Sequence, residues 1–406
     1  MEEWKEYKLI DVLDALIDYR GKTPKKVEKG IPLITAKIVK NGRINTPNEF
    51  LAEEDYDNWM VRGFPNAGDV VLTTEAPLGE VAQLDERKVA LAQRIVTLRG
   101  KKNILDNTYL KYYLLSIIGQ SRLKARETGT TVTGIKQSEL REVLVTCPPF
   151  KTQQIIAKIL SSLDDKIEVI RRINEQLEEL AQALFKSWFV DFEPFKDGEF
   201  VESELGLIPE GCTTISLSKM ANYLNGLAMQ KFRPLEGEDG LPVLKIKELG
   251  QEACNETSEL CSPSLIDEKY IVDDGDVIFS WSGTLLVKIW CGGTCGLNQH
   301  LFKVTSEIYP KWFVYLWTKF HLDRFIRIAK DKAVTMGHIK RGELDTSYAI
   351  VLNDDKMKEL DAIMSPIIEQ FINNNIEIRK LSNLRDTLLP KLMSGEIDVE
   401  QLNVIE

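Results

Sequence analysis

Residues 151–195 read KTQQIIAKILSSLDDKIEVIRRINEQLEELAQALFKSWFVDFEPF, and the periodicity of this stretch decides the architecture. Ile156, Leu160, Leu163, Ile167, Ile170, Asn174, Leu177, Ala181, Leu184 and Trp188 recur at alternating spacings of four and three. Side chains so spaced share one face of an α-helix, and a run this long is the seam of a coiled coil. Pro148-Pro149 open the segment, where the missing proline N–H costs no hydrogen bond. The pattern predicts a helix of some 36 residues, about 54 Å long.

The seam returns 204 residues later as Leu360, Met364, Ile367, Phe371, Asn374, Ile378, Leu381, Arg385, Leu388 and Leu392. Asn353, before Asp354-Asp355, is the expected N-cap, with acids that favour the positive end of the helix dipole. Pro366 lacks an N–H and is expected to kink or break this helix near Ser365, so that the intact coil begins after it. Neither helix buries its seam alone, so the two are expected to pack on each other, antiparallel. Ile159, Ile173 and Leu180 widen the first stripe, and Ile368, Leu384 and Leu389 the second. A stripe that broad points to further helices from partner chains. Each seam holds one asparagine. Pairing Asn174 with Asn374 sets Ile170 against Ile378, Leu177 against Phe371, Leu160 against Leu388 and Leu163 against Arg385. A slip of one heptad would bury each amide without a partner, at roughly 1–3 kcal/mol each.

The helical segments belong to a longer repeat. Gly30-Ile31-Pro32-Leu33-Ile34 returns as Gly240-Leu241-Pro242-Val243-Leu244, and Gly68-Asp69-Val70-Val71 as Gly275-Asp276-Val277-Ile278. Ile135-Lys136 with Glu139-Leu140 returns as Ile339-Lys340 with Glu343-Leu344, and Leu177 and Leu180 as Leu381 and Leu384. The offsets drift only from 210 to 204, in order along the chain, which is the mark of a tandem duplication. Each copy opens with a mixed half. Its β-like runs are Ile31–Ile38, Val70–Thr73 and Ile95–Leu98 in the first copy, and Pro242–Ile246, Val277–Ser280 and Leu301–Val304 in the second. Helical stretches follow around Thr108–Ile118 and Pro310–Ala329. The expected fold is therefore α+β, with two pseudo-repeated α+β domains over 1–150 and 196–353 and two long coiled-coil regions over 151–195 and 354–406.

Charge follows the same division. The chain of 406 residues carries a net charge of −10. Residues 1–150 contribute +2 and 206–353 contribute −2, whereas 151–205 and 354–406 contribute −5 each. A protein acting alone on DNA is usually basic, so this balance argues against simple nucleic-acid binding by the isolated chain. No apolar run is long enough for a membrane helix, and the charged start, Met1-Glu-Glu-Trp-Lys-Glu, lacks a signal core. Six cysteines in a chain this long do not make a disulfide scaffold. A cytoplasmic protein with no membrane contact is expected.

Catalytic motifs do not emerge. There is no phosphate-binding Gly-x-x-x-x-Gly-Lys-Ser/Thr loop, no Gly-x-Gly-x-x-Gly and no Gly-x-Ser-x-Gly elbow. The three histidines, His300, His321 and His338, cannot form a His-Glu-x-x-His helix. Cys291 and Cys295 with His300 fit no common structural zinc spacing. Cys147-Pro148-Pro149-Phe150 resembles the catalytic loop of adenine amino-methyltransferases, which begins with Asn, Asp or Ser. A thiol accepts hydrogen bonds poorly, and these residues read better as the entry to the long helix. No metal site and no cofactor are expected in this chain.

Three stretches resemble one family. Phe185-Lys186-Ser187-Trp188-Phe189-Val190-Asp191-Phe192 is similar to the central conserved region of type I restriction-modification specificity subunits. Leu384-Arg385-Asp386-Thr387-Leu388-Leu389-Pro390-Lys391-Leu392-Met393-Ser394-Gly395-Glu396-Ile397 closely resembles that family's C-terminal conserved region. Glu204-Leu205-Gly206-Leu207-Ile208-Pro209-Glu210-Gly211 is similar to its entry into the second recognition domain. The family has Trp next, where this chain has Cys212; Trp4 holds the matching place in the first copy. The resemblance implies two target recognition domains, each reading half of a split double-stranded DNA sequence. It implies conserved helices that set the spacing and dock two modification subunits, which methylate adenine N6. Restriction subunits with translocase and nuclease activity complete such an enzyme. S-adenosylmethionine, ATP and magnesium would then belong to the partner subunits, and this chain would be non-catalytic. Half-sites one helical turn apart lie roughly 34–36 Å along the duplex, within reach of helices of the expected length. The rival class is a coiled-coil scaffold joining two protein partners without DNA.

The resemblance also places DNA-facing loops. Arg20, Lys22, Thr23, Lys25 and Lys26 cluster before the Ile31 strand, and Asn225, Gln230, Lys231 and Arg233 are their counterpart. Lysine and arginine suit phosphates or guanine edges, and glutamine suits adenine. A second pair of candidate sets is Thr130, Thr131 and Lys136, and Lys332, Thr335, His338 and Lys340. Arg122, Lys124 and Arg126 read instead as one solvated face.

Overall fold

The computed structural model describes residues 4–21, 23–129, 133–331 and 339–399. The chain divides into two compact units, one of residues 1–166 with 381–406 and the other of 167–380.

In the first unit Val70–Thr74 is buried at every position, so it reads as a strand with both faces covered. It lies in an antiparallel four-stranded sheet ordered Leu13–Asp18, Ile95–Gly100, Val70–Thr74, Leu78–Gln83. The strand period of two sorts its side chains. Val70, Leu72, Val96 and Leu98 face a core shared with Tyr109, Tyr112 and Tyr113 of the helix Asn107–Leu115. Val71, Ala82 and Ile95 face a second core with Leu33, Ile34 and Leu91. The Asp106 carboxylate caps that helix, accepting from the Tyr109 N–H at 2.9 Å. A smaller sheet orders Ala90–Leu91, Ile31–Ile34, Phe50–Leu51 and Lys26–Val27, its first pair parallel.

The second unit repeats the strand order of the main sheet. Its main sheet runs Asn222–Asn225, Leu301–Thr305, Val277–Ser280, Leu286–Ile289. Val277, Phe279, Phe302 and Val304 face a core with Trp312, Phe313 and Trp317 of the helix Lys311–Phe320, and Ile278 and Leu301 face the other side. The smaller sheet again has one parallel pair, Leu241–Leu244 with Cys295–Leu297. The recurring Gly-Asp-Val turn has one physical cause in both units. Gly68 and Gly275 adopt φ of +83° and +92°, which L side chains rarely do. Each following carboxylate accepts a backbone N–H three residues back, Asp69 from Asn66 and Asp276 from Asp273, both at 2.8 Å. Each is then neutralised from the neighbouring strand, Asp69 by Arg99 and Asp276 by Lys303, at 2.7 Å.

The two long helices are Phe150–Phe189 and Asp354–Met393, 40 residues each. The first is longer than its seam implied. The second runs without interruption through Pro366, contrary to the expected break. The packing on either side explains this. Leu360 and Met364 are fully buried and Ile368 is 5% exposed, all in the core of the second unit. Trp312 Nε1 donates to Asp361 at 2.7 Å. Tertiary burial thus outweighs the one backbone hydrogen bond that proline removes. The Asn353 side chain caps the helix, accepting from the Lys356 N–H at 3.0 Å. Buried Ile368 is also no part of an outward-facing stripe. Three other elements differ from expectation. The strand at Pro242 ends at Leu244 and a helix begins at Ile246. The first β-run stops at Ile34. The stretch after Pro310 is two helices, Lys311–Phe320 and Leu322–Asp331.

Within the second unit, Asn374 Nδ2 donates to Asn174 Oδ1 at 2.8 Å and Gln370 donates to Asn374 Oδ1 at 2.7 Å. Leu177 and Phe371 line one small gap with Ala181 and Ile368. Within the first unit, Ile156, Leu160, Leu388 and Leu392 join the core under the main sheet and the helix Asn107–Leu115. There Asp164 accepts from the Tyr112 hydroxyl at 2.6 Å, from Arg385 at 2.8 Å and from Lys111 at 3.2 Å. Burial raises the Asp164 pKa, but Lys111, Tyr112 and Arg385 together hold it below the usual carboxylate range. A carboxylate depressed on folding contributes stability above its unfolded pKa of about 3.9 and loses it as pH falls through the folded value. Asp164→Asn is expected to destabilise the first unit by about 2 kcal/mol at pH 7, between the costs of breaking exposed and buried pairs. Thermal unfolding of both proteins from pH 7 to pH 3 checks this. The difference should shrink below about pH 4, and a pH-independent difference would refute the assignment.

Candidate nucleic-acid interface

One end of each main sheet gathers polar side chains from loops that are distant in sequence. In the first unit Leu13–Asp18 ends there, Val70–Thr74 ends there and Ile95–Gly100 begins there. Arg20, Glu75 and Arg94 therefore leave the sheet side by side. A backbone clasp fixes the loops: the Thr74 N–H donates to the Arg94 carbonyl and the Ile135 N–H to the Thr74 carbonyl, both at 2.9 Å. Arg20 reaches across it, with Nε on Asp18 at 2.8 Å and a terminal nitrogen on the Ile135 carbonyl at 2.6 Å. Thr23 Oγ1 donates to Gln93 at 3.1 Å.

The second unit has the same clasp with other side chains. Trp281 N–H points to the His300 carbonyl at 3.4 Å and Ile339 N–H to the Trp281 carbonyl at 3.1 Å. Asn225 accepts from the Trp281 indole at 2.9 Å. Ser282 Oγ lies 3.0 Å from His300 Nδ1. The backbone is thus common to both units, and the chemistry displayed on it differs.

The residues nominated from the sequence fall into four groups. Arg20, Thr23 and Asn225 join the sheet-end clusters through the bonds above. Lys26 pairs with Glu49 at 2.7 Å and Arg233 with Glu259 at 3.3 Å, on the surface. Lys25, Lys136, Gln230, Lys231 and Lys340 are exposed. Lys22, Thr130, Thr131, Lys332, Thr335 and His338 lie outside the described residues. Gln93, Arg94 and Glu75, and Trp281, Ser282, Gln299 and His300, were not nominated. The signal that would have found them is the strand alignment of the two copies, which puts Arg94 and His300 at one position.

The thiols read as packing groups. Burial pushes both Cys147 and Cys291 up to about 12, so neither is a thiolate near neutrality. Among the described residues no group of three or more His, Cys, Asp or Glu side chains is placed to hold a metal ion. Among them, too, no helix is long and apolar enough to cross a membrane. Arg122 and Arg126, expected on one solvated face, pair with Glu6 and Glu139.

The class of this mixed helix-and-sheet chain with two long helices follows from comparison with known proteins. Residues 1–179 match the type I restriction modification DNA specificity domain. The chain is 30% identical over 424 residues to the type I restriction enzyme MjaIX specificity subunit of Methanocaldococcus jannaschii, covering 99% of this chain and 95% of that protein. It is 25% identical to the HindI specificity subunit of Haemophilus influenzae, over 94% and 89% of the two chains. The crystal structure of a type I specificity subunit from M. genitalium shares the fold, with a TM-score of 0.58 at 16% identity over 96% of each chain. The chain belongs to the specificity subunits of type I restriction-modification systems.

Proposed function

We propose that this chain reads a bipartite double-stranded DNA target. Residues 1–150 take one half-site and 196–353 the other, and the helical regions 151–195 and 354–406, packed antiparallel, set the spacing. The observation that carries this reading is the pair of sheet ends with one backbone clasp and two different sets of side chains. Two related sites with different chemistry are what a target of two unlike halves requires. In this reading Arg20, Lys22, Thr23, Lys25, Lys26, Thr130, Thr131 and Lys136 belong to the first DNA face. Asn225, Gln230, Lys231, Arg233, Lys332, Thr335, His338 and Lys340 belong to the second. Phosphate contacts position the duplex and base-edge contacts specify it.

The chain itself is non-catalytic and acts in the cytoplasm. Exposed apolar residues beside the helical seams dock two modification subunits, which bind S-adenosylmethionine and methylate adenine N6 after the base leaves the stack. Restriction subunits supply ATP- and magnesium-dependent cleavage. The net charge of −10 opposes DNA's phosphates, so the isolated chain is expected to bind only weakly, with Kd of about 10⁻⁴–10⁻⁶ M at physiological salt. With modification subunits present, one duplex among random sequences is expected to bind at least ~10³-fold more tightly than the rest. Footprinting and salt titration with and without those subunits test this. Tight sequence-specific binding by the chain alone, or no sequence preference in the complex, would contradict it.

A further inference from the structure

Arg94 stands in an unusual place. Its backbone φ is +71°, a left-handed conformation that costs a non-glycine residue energy and persists only when its surroundings impose it. The surroundings are the clasp: the Arg94 carbonyl accepts from Thr74 N–H at 2.9 Å, and the next residue, Ile95, enters the main sheet. The loop therefore spends strain to aim one side chain outward from the sheet end. That side chain is 53% exposed.

Glu75 fixes its direction. Arg94 Nε lies 2.9 Å from Glu75 Oε1. Glu75 itself is held by a β-bridge to Gly134. With Nε anchored, the two terminal nitrogens project as a planar fork. A guanine presents two acceptors, O6 and N7, at the spacing of that fork in the major groove. The carboxylate beside the guanidinium argues against a phosphate as the ligand, because Glu75 would repel it at close range. Lys25 and Lys136, exposed on the same unit, carry flexible ammonium groups suited to phosphates, whereas a rigid fork suits a base edge. The second unit has His300 at the equivalent backbone position, held by Ser282. An imidazole offers no such fork, so the preference belongs to the first half-site alone.

We propose that Arg94, positioned by Glu75, reads a guanine in the half-site recognised by residues 1–150. This rests on the reading of the chain as a bipartite DNA-specificity subunit.

The test uses the assembled complex of this chain with its modification subunits, methylating a library of duplexes randomised across the target. N6-methyladenine sequencing then returns the preferred bases at every position. The wild-type complex should show a guanine in the first half-site. Arg94→Ala should lower the preference for guanine at that one position by roughly fivefold to 150-fold. Arg94→Gly, which suits the left-handed backbone, should do the same. Glu75→Gln should weaken the preference at the same position by a smaller factor. The second half-site serves as the internal control for folding and assembly, and it should stay unchanged in all three variants. A uniform fall in methylation with the motif intact would mark Arg94 as a phosphate contact and overturn the proposal. So would a wild-type first half-site without guanine, or a changed second half-site. A wild-type complex without any sequence preference would instead sink the DNA-specificity reading beneath it.

Discussion

A chimaera carrying residues 1–150 of a related specificity subunit in place of its own is expected to change one half of the methylated target and leave the other half unaltered. Among the described residues, the bonds that build the first sheet end join residues 18–135, and the clasp that fixes them is internal to that unit. Methylation of the original target should fall by at least ~10³-fold, the usual gap between specific and non-specific binding. The junction must keep the contacts of Ile156, Leu160 and Leu392 with the recognition core. An incoming half that leaves a cavity there would cost roughly 2–5 kcal/mol per large-to-small mismatch. Exchange of residues 206–353 should change the other half-site only. Methylome sequencing of cells bearing each chimaera reads the result, and a swap that alters both half-sites would refute independent readout.

Replacing Ile173 and Leu180 together by glutamate is expected to abolish assembly with modification subunits. Ile173 is 40% and Leu180 47% exposed, while Ile170, Asn174 and Ala181 on the adjoining face are buried. Val169, at 56% exposed, extends the same outward stripe by one turn. Apolar side chains exposed in a row along one helix mark an interaction surface. Putting two carboxylates into such a contact costs several kcal/mol, because each charge is desolvated without a partner. That lowers association by at least ~100-fold. The substituted side chains already face water, so the melting temperature of the isolated chain should barely change. Sedimentation of the mixed subunits measures the effect. Assembly at wild-type strength would place the docking surface elsewhere.

Much of the fold was legible in the sequence because burial imposes periods. The heptad seam from Ile156 to Trp188 and its copy from Leu360 needed only apolar spacing. The Gly68-Asp69 and Gly275-Asp276 turns needed only a residue tolerant of positive φ and a carboxylate. Pro366 defeats a local reading because propensity carries no information on the burial of Leu360, Met364 and Ile368 around it. Ile246 reads as strand because β-branching favours that element, yet it opens the helix Ile246–Gln251.

The candidate site was less legible. Basic residues near the Ile31 strand were visible as composition, but which of them point outward depends on partners far along the chain. Arg20 is drawn to the Ile135 carbonyl, 115 residues away. Arg94 and Glu75 meet only once the sheet is built, and no run of charge announces them. In the sequence His300 stands out only by its spacing from Cys295, whereas its position in the fold is the counterpart of Arg94.

If one chain directs methylation to a target of two separately read halves, the methylated genome records it. Sequencing that maps N6-methyladenine on genomic DNA from cells with and without this gene tests it most directly. The expected result is a motif methylated only when the gene is present, made of two defined half-sites with a spacer of fixed length and no base preference. A methylation pattern indifferent to the gene, or one uninterrupted motif, would contradict it.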